Sequence, residues 1–302
     1  MKNAFTLLEL IIVIVIMGFL AFIGIDIAKN LYTNYLQARS INNLESQTEL
    51  TLEQIAKRLA VRVKSSTIGR RASDDKFVAT YDSGLNSNYN ILEWISYSYE
   101  SFQGGGWSGF VDLDSPNTLR NSAKNGGTIV TPGSDLDYAT KYISDLTNKK
   151  ATLDNKQVGL FFKRNTKNNI QTDFGYNDSN QADAIAIVKK DGKNKLIIKY
   201  SADDIYEQYY LLHTAYAVVP VRANVADTDF DLWLHYNYRP WISGEKYSKT
   251  ETNKVLLAKN VTRFNFTETS GVIVMKLCIR DAGKSLGKDK AETTVCKTKA
   301  VY

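Results

Sequence analysis

One stretch constrains this chain before any other: from Phe5 to Ile25 it runs apolar, and Glu9 is its single charge. A helix rises about 1.5 Å per residue, so roughly 20 such residues cross a bilayer core of about 30 Å. The segment is therefore expected to span. Met1-Lys2-Asn3-Ala4 precede it as a short basic leader, and Lys2 favours keeping that end in the cytoplasm. Lys29 and Arg39 on the far side weaken this asymmetry. A cleaved secretory signal needs small residues one and three places before a cut at the end of the run. Cuts after Ala21 or Gly24 would put Phe19 or Phe22 at the third position, and neither fits.

The helical pattern does not stop with the apolar run. Leu31, Tyr35, Ala38, Ile41, Leu44, Thr48, Leu52, Ile55, Leu59 and Val63 recur at spacings of three and four, while Asn43, Glu45, Glu49, Glu53 and Lys57 take the other faces. That is an amphipathic stripe suited to burial against a sheet. No proline interrupts Phe5 to Ser65, Gly18, Gly24 and Asp26 are the expected soft points, and Gly69 with Arg70-Arg71 marks the exit. Such a helix of about 60 residues would reach about 90 Å, more than a membrane needs.

Beyond Gly69 the pattern turns to strands. Asn90–Tyr99, Gln157–Lys163 and Gln208–Val219 are short, β-branched or aromatic, and bounded by Asn, Asp or Gly. Ala184–Tyr200 reads as a hairpin turning near Asp191-Gly192, and Val255–Ala258, Val261–Thr267 and Val272–Ile279 as a further antiparallel set. Segments 82–90, 101–109 and 114–135 are Gly/Asn/Ser-rich and are expected to be loops. With 302 residues, 43% of them hydrophobic, and neither a repeat nor a linker, the fold class is α+β. The expected divisions are a leader at 1–4, a transmembrane half-helix at 5–28, an amphipathic half-helix at 29–66 and a β-rich head with long loops at 67–302.

The order Ala4-Phe5-Thr6-Leu7-Leu8-Glu9 followed by an unbroken apolar run resembles the class III leader of type IV pilins and type II secretion pseudopilins. In that family a prepilin peptidase cuts before the Phe on the cytoplasmic side and methylates the new amine. The resemblance implies a cut between Ala4 and Phe5, N-methylation of Phe5, and a role for Glu9 in subunit assembly. The family usually has Gly where this chain has Ala4, which implies slower cleavage. The motif covers under a tenth of the chain. More loosely, Lys254–Phe266 looks like the closing strands of J-type minor pseudopilins. The resemblance further implies a single-pass protein of the bacterial inner membrane, its head in the periplasm or on an extracellular filament. Its expected partners are other pilins, the prepilin peptidase and the inner membrane, with no small-molecule substrate. The large head suits a minor subunit that initiates or caps a pilus or pseudopilus. Glu9 argues against the extreme tip subunit, a type that often lacks this acid. In that oxidising location Cys278 and Cys296, which flank a Gly/Lys-rich loop, are expected to pair.

Other chemistries find little support. The scarcity of cysteine and histidine, two of each in 302 residues, argues against a zinc site, which needs four ligands or three plus water, and no metal or cofactor is expected. Gly283-Lys284-Ser285 lacks the upstream glycine of a phosphate loop, which is Cys278 here. Ser108 lacks the closing glycine of a nucleophile elbow, replaced by Phe110. Asp227, Asp229 and Asp231 alternate as at the start of an EF-hand, but Leu232 and Tyr238 stand where its glycine and glutamate belong. His213 and His235 fall in expected strands without a nucleophile at telling spacing, so the chain reads as no enzyme. The net charge of +6 and 18 tyrosines leave a second reading, a binding module for DNA or a surface ligand. Its nucleic-acid contacts would be Arg70, Arg71, Lys288 and Lys290. The plainer reading of the cations at the helix end is that they complement the helix dipole.

Overall fold

The computed structural model describes residues 6–119, 127–163, 169–177, 182–199, 205–224, 227–281 and 293–302. Helix α1 (Leu7–Leu59) is 53 residues long, or about 80 Å. It passes through Gly18, Gly24 and Asp26 without a break, because a glycine weakens a helix by only about 1 kcal/mol and removes no backbone bond. It ends at Leu59, short of the expected exit, because the following backbone bonds to a strand instead. Val63 N–H donates to Ile95 O at 2.9 Å, and Tyr97 N–H to Val61 O at 3.2 Å.

The head comprises, in chain order, β1 (Ile68–Arg70), β2 (Phe77–Ala79), β3 (Ile91–Tyr97), α2 (Tyr99–Gln103), β4 (Gly127–Val130) and α3 (Leu136–Leu146). Then come β5 (Gly159–Phe162), β6 (Ile185–Lys190), β7 (Lys195–Lys199), β8 (Tyr209–Val221), β9 (Phe230–Tyr238), β10 (Asn253–Thr269), β11 (Val272–Arg280) and β12 (Thr294–Val301). The described strands form one 12-stranded sheet whose main path runs β12-β11-β10-β9-β8-β5-β6-β7-β4. Every pairing is antiparallel. Strand β8 is the branch point: Tyr209–Leu212 pair with β5, whereas Leu212–Val218 pair with β3.

Three segments differ from the sequence reading. The stretch 114–135 is not loop throughout, since β4 lies in it and pairs with β7. α2 occupies the start of 101–109. Strand β10 is continuous where two strands were expected, because bulges between Leu256 and Val261 bend it without ending its pairing to β9. The hairpin at Asp191-Gly192 forms as expected, with Gly192 at a φ of 84°.

The buried apolar residues gather in three clusters. Leu44, Leu52, Ile55 and Leu59 of α1 pack on Trp94, Leu234, Val261, Phe264, Met275 and Leu277 of the sheet. A distal cluster brings Leu136, Ala139 and Ile143 of α3 against Leu160, Val188, Leu196 and Leu211. Between them, Val63, Ile68, Phe161, Tyr176, Tyr238 and Trp241 join the two. Burial of the α1 stripe starts at Leu44; Leu31 and Tyr35, expected under the sheet, are 65% and 60% exposed. Among the described residues, the first hydrogen bond from the α1 stripe to the head comes after both, from the Ser40 hydroxyl to the Asp281 carboxylate.

Candidate functional site

The exposed half of α1 is the first candidate. Its apolar window passes the length and hydropathy requirements for a membrane span, and none of it is buried in the fold. At its start Thr6 and Glu9 form a capping box. Thr6 N–H and hydroxyl each donate to Glu9 Oε2 at 3.0 Å, and Glu9 N–H donates to Thr6 Oγ1 at 3.4 Å. The helix start leaves backbone donors without intrahelical partners, and this exchange satisfies two of them. The Glu9 carboxylate is thus hydrogen-bonded within its own helix. Its charge is nevertheless not matched by a cation among the described residues. Ala4, Phe5, Lys288 and Lys290, and the Gly283-Lys284-Ser285 stretch, lie outside the described residues.

Arg70 corrects the surface reading. It is 2% exposed, and its guanidinium is enclosed rather than offered to a polyanion. Nε donates to Glu93 Oε2 at 2.8 Å, Nη1 to the Asp75 carboxylate at 3.1 Å, and Nη2 to Tyr176 O at 3.2 Å. The rings of Phe77 and Tyr247 lie 4.8 and 5.5 Å from its carbon centre. Burial opposes the cation, but Glu93 and Asp75 outweigh it and hold the Arg70 pKa above that of ordinary arginine. Glu93, itself 1% exposed, also accepts from Tyr238 Oη at 2.8 Å. Burial, then Glu93, push the Tyr238 phenol well above its usual range. Arg71 is half-buried, paired with Asp74 at 2.9 Å and lying 5.1 Å from the Tyr89 ring centre.

The network was missed by sequence reasoning, although Ile91-Leu92-Glu93-Trp94-Ile95 carried its signal: a lone carboxylate in an apolar strand needs a buried cation. A second ion pair, buried Arg239 with half-buried Glu245 at 2.6 Å, places its cation near His213. His213 is buried in β8, where desolvation and then Arg239 bring its pKa down to about 4. His235 in β9 holds the Tyr247 carbonyl at 2.7 Å, and desolvation lowers its pKa too.

The remaining candidates do not converge. Asp229 pairs with Arg280 while Asp231 enters β9, and among the described residues no three His, Cys, Asp or Glu side chains gather. Ser108 bonds to Ser134 and to the Phe110 backbone. Cys278 and Cys296 stand directly opposite each other on β11 and β12, their sulfurs 2.08 Å apart in a disulfide. Comparison with protein-family models, curated proteins and solved structures found no match.

Proposed function

We propose that the chain is a minor pilin or pseudopilin, a non-catalytic subunit that starts or caps a type IV pilus or a type II secretion pseudopilus. One observation carries the reading: a single helix whose apolar first half is uncovered and whose second half is the spine of a β-sheet head. An anchor alone needs about 20 residues, and the extra length couples membrane to head as one rod. The Ala4–Phe5 leader adds processing by a prepilin peptidase and methylation of Phe5. The membrane is then the bacterial inner membrane, with the head in the periplasm or on the filament. The reading as a DNA-binding module is the weaker one, since Arg70 is enclosed and Arg71 is paired.

Glu9 is the residue to test. A carboxylate at membrane depth costs about 2.5–3.5 kcal/mol at the bilayer centre and less near an edge. The local capping bonds reduce that cost but leave the charge, which the methylated Phe5 amine of a neighbouring subunit would neutralise in a low-dielectric bundle. Glu9→Gln keeps a capping acceptor and loses the charge, so it should insert, be cleaved, and crosslink poorly to partner pilins. Glu9→Leu should insert as well and assemble no better. Mass analysis of the envelope protein should find methylated Phe5 at the N-terminus. Wild-type crosslinking by both variants, or an uncut leader, would overturn the assignment.

A further inference from the structure

The two ends of the sheet are finished differently. At one end, β4 is covered by the chain that precedes it. Asp112 N–H donates to Val130 O at 2.9 Å, Leu119 N–H to Thr128 O at 2.9 Å, and Val130 N–H to Thr118 Oγ1 at 3.2 Å. At the other end, β12 pairs with β11 alone among the described residues. Its Cys296 faces Cys278 with Cα atoms 4.0 Å apart, the short spacing of a non-hydrogen-bonded antiparallel pair. The pattern alternates, so the N–H and C=O groups of Thr294, Cys296, Thr298 and Ala300 point away from β11. None of these groups has a hydrogen-bond partner among the described residues.

The side chains around that edge agree with an open docking strand. Thr294, Cys296, Thr298 and Ala300 are exposed and small, so another backbone can approach closely. Lysines on an edge strand normally discourage pairing. Here Lys297 and Lys299 are drawn aside to α1, Lys297 to Glu49 at 3.1 Å and Lys299 to Glu53 at 2.6 Å. On the opposite face Lys276 of β11 lies directly across from Thr298 of β12, and Arg263 of β10 stands one strand further in. Both are exposed, and neither has an ion-pair partner among the described residues. A second copy fits poorly, because Thr294–Val301 has no carboxylate to offer Lys276.

We infer that the β12 edge receives an extended, acid-bearing strand from a different protein chain, adding it to the sheet. Backbone bonds would supply affinity, and a carboxylate beside Thr298, within reach of Lys276 across it, would supply selectivity. The inference is independent of the pilin reading, because it rests on the sheet alone.

The test uses the full chain in detergent micelles and two probe peptides of about eight residues, one alternating valine with glutamate and one valine with lysine. The glutamate peptide should slow amide exchange at Thr294, Cys296, Thr298 and Ala300, and should bind at least about tenfold more tightly than the lysine peptide. Thr298→Pro removes an outward N–H that the β11 ladder does not use, so it should abolish this protection without lowering the melting temperature. If that variant misfolds, Lys276→Glu should reverse the peptide preference. Slow exchange at the four amides without peptide, equal binding of both peptides, or crosslinking of β12 to β12 between copies would overturn the inference.

Discussion

Arg70 and Glu93 place opposite charges inside the head, and each depends on the other. Removing one partner of a buried pair typically costs about 3–5 kcal/mol, because the survivor is left desolvated and unpaired. Arg70→Met should therefore lower urea stability by about that much, whereas adding Glu93→Gln should restore at least about 1 kcal/mol by discharging the stranded carboxylate. A double variant no more stable than the single would show that packing, not charge, sets the loss. His213 gives a second residue-scale expectation. Its native pKa of about 4 lies below the ordinary 6.5, so the unfolded chain binds the proton first as pH falls. Its contribution is complete above pH 6.5 and is lost progressively down to about pH 4, up to about 3 kcal/mol in all. His235 acts in the same direction, so the difference between the wild-type and His213→Gln stability profiles isolates this term. Parallel profiles through that window would refute it.

At the scale of elements, the disulfide clips β12 to β11, and β12 in turn packs against α1 through Val301, Lys297 and Lys299. The closed loop spans a sequence separation of 18, for which the chain-entropy account gives about 3 kcal/mol. Replacing both cysteines by alanine should lower stability by that order, and reduction of the native protein should do the same. Free thiols in protein taken from the envelope would contradict the bridge. The elements most legible in the sequence were those whose periodicity ran long: α1, the β6–β7 hairpin, and the core of β8, β10 and β11. Shorter elements were hidden for identifiable reasons. α3 buries only Leu136, Ala139 and Ile143, but its Asp135 cap, accepting from Tyr138 N–H at 3.2 Å, comes after a Gly/Ser turn that reads as loop. β9 starts among the alternating aspartates Asp227, Asp229 and Asp231, whose charges hide a strand, although Leu232 and Leu234 enter the core. Arg70 was misjudged because cations after a helix usually face solvent. Only the register Ile68↔Glu93, Gly69↔Leu92, Arg70↔Ile91 brings Arg70 and Glu93 together.

The whole molecule divides by burial more sharply than by sequence distance. No described residue before Leu44 is buried, and among the described residues the first hydrogen bond from α1 to the head is that of Ser40 with Asp281. The described apolar half of α1 therefore adds no buried side chain to the head, while Leu44, Thr48, Thr51, Leu52 and Ile55 are part of its core. A chain beginning at Lys29 loses no buried side chain. It should be soluble, retain the three packed clusters, and melt within about 4 °C of the full-length protein in detergent, the shift expected for under about 1 kcal/mol in a domain of this size. A chain beginning at Glu53 loses Leu44 and Leu52, each worth about 2–5 kcal/mol by analogy with large-to-small core substitutions, and uncovers Met275 and Leu277. It should melt far lower or aggregate. Thermal melts of the two truncated chains, read by near-ultraviolet circular dichroism for the packed tryptophans, separate the cases. Unfolding of the chain beginning at Lys29 would mean that the uncovered half of α1 stabilises the head through contacts made only in the membrane or with another subunit. The boundary between anchor and spine would then have to move toward the N-terminus.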